Sequence, residues 1–341
     1  MPWRSTILRR MFGLGGTAMP GERNRILPGV PMYPVSERPR WYGHPYNRAG
    51  LYRFAEALGW LPRGLRLALA RRFGEVAQRF LPAERAAVRK TLGLATGASG
   101  PRLEELTVRV FREFAMCFSD LVSTNRQAAD RLFTYVESVS GAEHVQGLPG
   151  GMVSVTAHVG NWELAGRLLA TRSARRTHVV VAPEEVPALG RWVRRDGEGM
   201  RFVPRTHPGI GVELLAALRR GEVVALQGDR ALGTRGDVAI PFFGRPALFP
   251  LGPFLLARAA GVPIVPAFCV LDRGYRYSVR MAMPITVGRG DEEGAARAWV
   301  GLLERIVREH PTQWFNFLDV WQPFGESTPS IDERTAGPEA P

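Results

Sequence analysis

Cysteine is nearly absent from this chain. Cys117 and Cys269 are the whole complement in 341 residues. They sit far apart inside apolar runs, which argues against a disulfide framework and for a reducing compartment. Lysine is scarcer still: Lys90 is the single one, so arginine carries the formal net charge of +13. Arginine on that scale fits the coding bias of a GC-rich genome first and a binding device second. It nevertheless puts a positive field over part of the surface, which attracts anionic lipid headgroups, nucleic acid or an acidic carrier protein. Zinc-finger spacing, an RNP-like aromatic pattern and basic-region heptads are missing, so no nucleic acid is expected as a partner. No stretch supplies the roughly 20 apolar residues of a membrane span. The longest candidate, Leu248 to Leu271, is broken by Arg258 and by Pro250, Pro253, Pro263 and Pro266. The HExxH and GxSxG patterns are also missing, and His44, His144, His158, His178, His207 and His310 show no ligand spacing, so neither a metal site nor a serine nucleophile is expected.

With 45% hydrophobic residues, the chain is long enough to bury one large core or two modest ones. Residues 1–47 are rich in Arg, Pro and Gly without a sustained period, and read as an extended or disordered basic arm. Met1 to Gly16 lacks the apolar core and cleavage site of a secretory signal. Residues 48–141 carry apolar positions at helical spacing (Leu51, Phe54, Leu58; Leu65, Leu69, Phe73; Leu103, Leu106, Val110, Phe114), punctuated by Pro62, Pro82 and Pro101. This pattern predicts three or four amphipathic helices packed on a core. Arg63, Arg66, Arg71 and Arg72 beside the apolar face make either a solvated helix or one lying in a membrane interface.

From 142 to 324 short apolar strands alternate with helices. Strands are predicted at Met152 to His158, Thr177 to Val181, Phe202 to Pro204, Val223 to Leu226, Val238 to Pro241, Ile264 to Val270 and Tyr277 to Val279. Helices are predicted at Trp162 to Arg172, Pro187 to Arg195, Gly209 to Arg220, Pro250 to Ala260 and Ala295 to Glu309. Such alternation predicts an α/β fold, a mixed and mainly parallel sheet flanked by helices, beside the N-terminal helical region. Residues 325–341 read as a disordered tail.

The chemistry concentrates at His158-Val159-Gly160-Asn161-Trp162-Glu163, where a strand turns into a helix. A carboxylate in the first helical turn is favoured by the unpaired N–H groups there and can reach back to the histidine. Glu163 would then hold one ring nitrogen while the other takes a proton from an alcohol. A histidine at a strand end also serves as a hydrogen-bonded core residue, and the neighbouring motifs weigh against that reading. His-x-Gly-Asn-Trp-Glu resembles the HxxxxD/E signature of the glycerolipid and lipid A acyltransferases, and the lipid A branch in particular. Gln227-Gly228-Asp229-Arg230, Pro241-Phe242-Phe243-Gly244-Arg245-Pro246-Ala247, Pro250-Leu251-Gly252-Pro253, Gly261 to Phe268 and Pro311 to Phe315 are similar to that family's later blocks, in order, so the resemblance covers about Arg53 to Pro323. Ala182-Pro183 departs from the family's Arg-Pro pair, which implies an altered acceptor pocket.

The resemblance implies an O-acyltransferase without a cofactor. It would move a fatty acyl group from an acyl carrier protein or coenzyme A thioester to a hydroxyl of a lipid A-like or other glycolipid acceptor. His158 would be general base and Glu163 its orienter. The expected place is the cytoplasmic face of the bacterial inner membrane, peripheral and held by an anionic surface. Alternatives are another acceptor (lysophospholipid, ornithine lipid, mannoside or polyene) or a noncatalytic lipid-binding module. Among substrate-binding candidates, Arg230 suits an oxyanion or an anionic substrate, and Gly228 belongs to the same turn. Asp229 either pairs with Arg230 or is a turn residue. Phe243 lines an acyl channel or packs in the core, and Arg245 after Gly244 suits a phosphate or carboxylate. Asn161 contacts substrate or caps the helix. Arg195, with Arg191 and Arg194, makes a basic helical cluster or a solvated face, and Trp314 and Asn316 serve packing.

Overall fold

The computed structural model describes residues 57–321, apart from 125–126, 128, 174, 183–198 and 235. The expected N-terminal arm, the expected tail and the helix expected over Pro187 to Arg195 lie outside the described residues.

Among the described residues three helices come first: α1 (Arg63–Ala77), α2 (Pro82–Thr96) and α3 (Gly100–Thr124). Pro62 precedes α1 and Pro82 opens α2, where a missing N–H costs nothing and φ is already helical. The helix α1 approaches α3 closely at Gly74, where a Cβ would stand 2.3 Å from the carbonyl oxygen of Phe111. A single sheet follows, built from β1 (Val136–Ser140), β2 (Met152–Thr156), β3 (Thr177–Val181), β4 (Met200–Pro204), β5 (Val223–Gln227), β8 (Ile264–Leu271) and β9 (Tyr277–Met281) in the order β1-β9-β8-β2-β5-β3-β4. The strands from β8 to β4 are parallel, and β8 to β9 is antiparallel. This is the mixed, mainly parallel sheet that the alternation predicts. A separate hairpin joins β6 (Asp237–Phe242) and β7 (Arg245–Pro250).

β1 was not expected as a strand. Only Val136 in Val-Glu-Ser-Val-Ser is buried, so an edge strand with one inward residue shows no period. Its pairing with β9 places part of the expected helical region, 136–140, in the sheet.

One face of the sheet packs Val153 and Val155 against Leu214 and Leu218 of α5 (Ile210–Arg219), Phe254 and Ala257 of α6 (Gly252–Ala260), and Trp299 and Leu303 of α7 (Glu292–Glu309). The other face is covered by α4 (Trp162–Ser173), whose Leu164 and Leu168 join Leu67 of α1 and Val110 and Phe111 of α3. A buried carboxylate ties these helices to the sheet. Asp120 of α3, 0% exposed, accepts hydrogen bonds from Arg66 at 2.7 Å, from Arg63 at 2.7 and 3.2 Å, and from the Tyr277 hydroxyl of β9 at 3.0 Å. Arg63 also donates to the Tyr275 carbonyl in the β8–β9 turn and lies 4.7 Å over the Tyr135 ring. Arg63 and Arg66, read from the sequence as facing a membrane or solvent, are thus turned to Asp120, because an ion sealed in the interior requires paired donors.

Removing that carboxylate strands Arg66 in the core. Asp120→Ala should cost about 3–5 kcal/mol, and Tyr277→Phe, which deletes one hydrogen bond, about 1 kcal/mol. Urea unfolding of the two variants, side by side, measures both.

Candidate active site

The β2/β5 register generates the site. Thr156 pairs with Gln227, and the ladder continues through the Gly228 N–H to the Thr156 carbonyl at 2.9 Å. Two residues further along each parallel strand, on the same face, stand His158 and Asp229. His158 Nδ1 lies 2.8 Å from Asp229 Oδ1, and the His158 backbone N–H donates to Oδ2 at 3.0 Å. Trp314 Nε1 donates to the same Oδ2 at 2.9 Å. Burial pushes the Asp229 carboxyl up, but the charges and hydrogen bonds of His158, with Arg230 beside them, outweigh it and hold the group well below the ordinary carboxylate range. An ionised carboxylate only accepts. Nδ1 therefore carries the proton, and whenever the ring is neutral the lone pair falls on Nε2. The ring retains 16% side-chain exposure and meets Trp162 edge to face at 6.0 Å.

The loop holding His158 is fixed at every amide. Phe315 N–H donates to the His158 carbonyl at 2.8 Å, Val159 N–H to Ala157 at 2.7 Å, Gly160 N–H to Gln313 at 3.0 Å and Asn161 N–H to Cys269 at 3.0 Å. Gly160 has φ of 56°, and a Cβ there would stand 2.0 Å from the Cys269 oxygen. No other residue fits. Asn161 is buried, and its Oδ1 accepts from Leu164 N–H at 3.2 Å: it caps α4.

Glu163 is expected to be the orienter, but the structure gives Nδ1 to Asp229. The reason is topological. β5 lies beside β2, so the residue just past its end meets the ring from the adjacent strand, whereas Glu163 has already entered α4. Glu163 is buried and lines a cavity of about 220 Å³ between α4 and the sheet. Thr156, Trp162 and Gln227 also line it, and the rest of the lining is mostly apolar, with Val179, Phe202, Ala225, Ala267 and Val279 among them. Trp314, assigned to packing from the sequence, holds the Asp229 carboxylate. An indole in the same late block as Phe315 was the available signal, but nothing in the spacing tied it to Asp229.

The other candidates divide. Arg230 donates to the Phe315 carbonyl at 2.9 Å and so braces the segment that clamps His158. A Cβ on Gly228 would press on Val155 at 2.8 Å and on Trp299 at 3.1 Å, which makes that glycine a matter of packing. Phe243 and Gly244 form the two-residue turn of the β6–β7 hairpin, both with positive φ (49° and 76°). Phe243 is held there by its N–H to Glu304 at 3.0 Å and by Arg308 over its ring at 4.9 Å. It is absent from the cavity lining. Phe242 is the aromatic that reaches inward, 5.3 Å from Trp314. Arg245 is exposed beside the turn. Arg195 lies outside the described residues. Among the described residues no group of three or more His, Cys, Asp or Glu is arranged to hold a metal ion.

A family model described as bacterial lipid A biosynthesis acyltransferase matches residues 50–323. The phosphatidylinositol mannoside acyltransferase of Mycobacterium tuberculosis (strain CDC 1551 / Oshkosh) is 30% identical over 191 residues, which are 54% of this chain and 59% of that one. The lipid A biosynthesis palmitoleoyltransferase of Escherichia coli (strain K12) is 26% identical over 315 residues, 87% of this chain and 99% of that one.

The loop leaving Asp229 is tied down by a second acid. Asp237 accepts the N–H groups of Leu232 at 2.9 Å and Thr234 at 3.1 Å. Burial pushes its carboxyl up to about 6 despite those bonds. A raised folded value means stability that is full below the unfolded value of about 4 and is lost as pH rises through 6. Relative to Asp237→Asn, the wild-type protein should therefore lose roughly 2–3 kcal/mol between pH 4 and 7. Melting temperatures of both proteins across that range provide the measurement.

Proposed function

Because the chain belongs to the bacterial lipid A biosynthesis acyltransferase family, we propose that it transfers a fatty acyl group from a thioester to a hydroxyl of a glycolipid in a membrane. The observation that carries this reading is the Asp229 contact to His158 Nδ1, which leaves Nε2 as the basic nitrogen. In the proposed step Nε2 takes the hydroxyl proton as the oxygen bonds to the thioester carbonyl carbon. The tetrahedral intermediate then expels the thiolate, and the imidazolium returns the proton to sulfur. Asp229 stabilises the charged ring between the two transfers. Glu163, in the cavity lining, is assigned to the substrate side, and the apolar cavity to the acyl chain. The donor is an acyl carrier protein or coenzyme A thioester. The relatives, a mannoside acyltransferase and a lipid A palmitoleoyltransferase, favour a sugar-bearing acceptor. A noncatalytic lipid-binding module has no use for a histidine polarised in this way.

A membrane acceptor calls for a protein that sits at the bilayer. No helix of the described residues is long and apolar enough to cross one. Instead, α1 exposes Leu65, Leu69, Phe73 and Val76 along one side, continued by Trp60 and Phe80 and flanked by exposed Arg71, Arg72 and Arg79. An apolar stripe with a basic margin suits shallow insertion among anionic headgroups. Its N-terminal end lies at the catalytic edge: Arg63 binds the turn after β8, and β8 runs parallel to β2.

The purified protein, given isotope-labelled acyl coenzyme A and acyl carrier protein with a lipid A precursor, a phosphatidylinositol mannoside, an ornithine lipid or a lysophospholipid, should yield one acylated product by mass spectrometry. His158→Ala should lower turnover at least ~10³-fold and Asp229→Asn roughly 10²- to 10⁴-fold with the fold retained by circular dichroism. Near-normal turnover of folded His158→Ala would refute the mechanism. Phe73→Glu combined with Leu69→Glu should weaken cosedimentation with anionic phospholipid vesicles by about tenfold or more. Undiminished sedimentation would remove α1 from the membrane contact.

A further inference from the structure

The cavity under α4 is an interface left unfilled by small residues. On the sheet side, Ser154 of β2 stands in register with Ala225 of β5, and Ala267 of β8 lines the same space. On the helix side the lining residues include Ala165 and Gly166. Helix–sheet interfaces ordinarily fill to crystal-like density with Leu, Ile and Val. Gly166 stands out among these residues. Its φ is not positive, and a Cβ built on it meets no heavy atom within 4 Å. Neither backbone conformation nor close contact requires glycine there, in contrast to Gly160 and Gly74. A helix-interior glycine nevertheless weakens the helix relative to alanine. What its absent side chain leaves behind is space that opens onto the cavity.

We propose that Gly166, with Ala225 on the cavity floor, sets the length of acyl chain that the protein accepts. The inference rests on the reading of the cavity as the acyl site. An unbranched chain lying between α4 and the sheet must pass the positions where these residues withhold side-chain volume. Each methylene that no longer fits forfeits its transfer from water, roughly fourfold in affinity. A side chain at position 166 would therefore discriminate against long chains more than against short ones.

The test is displacement of a fluorescent fatty acid from the purified full-length protein by saturated fatty acids of increasing length, for wild type, Gly166→Ala, Gly166→Leu and Ala225→Leu. Wild type should bind more tightly as the chain lengthens. Gly166→Leu and Ala225→Leu should shift the ratio of short-chain to long-chain affinity by about tenfold or more. Gly166→Ala should shift it in the same direction by a smaller factor, with a raised melting temperature. Should the leucine variants not fold, Gly166→Ala, which favours the helix, decides alone. An unchanged ratio in folded variants overturns the inference. A wild-type protein that fails to bind the probe overturns the assignment of the cavity as well. His158→Ala keeps the two ideas apart: transfer should vanish while the length series persists, so a protein that binds by length but never transfers would sink only the acyltransferase reading.

Discussion

One buried carboxylate organises the edge of the sheet that carries His158. Asp229 is sealed from water, where an ion is costly unless every lone-pair direction finds a donor. Those donors are the His158 amide, the His158 ring and the Trp314 indole, drawn from strand end, loop and C-terminal segment. Keeping that ion satisfied fixes the β2/β5 register, the approach of residues 313–315 and the tautomer of the imidazole in one stroke. Arg230 completes the arrangement, lowering the energy of the anion and gripping the Phe315 carbonyl. Phe315 in turn donates to His158.

A second buried carboxylate, Asp120, is treated differently, and the contrast explains their roles. Two arginines and a tyrosine hydroxyl surround it, so all its partners are permanently protonated donors and the cluster is inert. It serves as a clamp between α1, α3 and β9. Asp229 has an imidazole among its partners instead, the single side chain whose second nitrogen can still exchange a proton near neutrality. The same electrostatic rule thus yields a structural bolt in one place and, in the proposed reaction, a base in the other.

Much of this was legible in the sequence. Hydrophobic runs such as Thr177 to Val181 located strands nearly to the residue, and prolines 62 and 82 marked helix starts, because burial and backbone chemistry act locally. The strand-turn-helix at His158 to Glu163 was equally clear. Strand order was not. Nothing in the chain says that β5 neighbours β2, so Asp229 reads as a partner of Arg230 or a turn residue, and Glu163 as the partner of the ring. The same blindness affected Arg63 and Arg66, whose partner lies more than 50 positions away, and Phe243, which reads as a channel residue until the hairpin turn aims it at α7. Residue chemistry is written along the chain, while pairing across it is decided by topology.

The completeness of hydrogen bonding in the 158–161 loop also constrains how the tetrahedral intermediate of the proposed reaction could be met. Each of its four amides is already given to Asp229, Ala157, Gln313 or Cys269, and the Leu164 amide is given to Asn161. A loop so committed holds His158 rigidly and can donate nothing to an oxyanion. Stabilising charge must then come from beside the loop: the positive end of α4, which begins at Trp162, or the Arg230 guanidinium. Both are fixed before substrate arrives, since one is part of a capped helix and the other is tethered to Phe315. Rigidity at His158 and preorganised charge nearby are therefore two consequences of the same hydrogen-bond pattern.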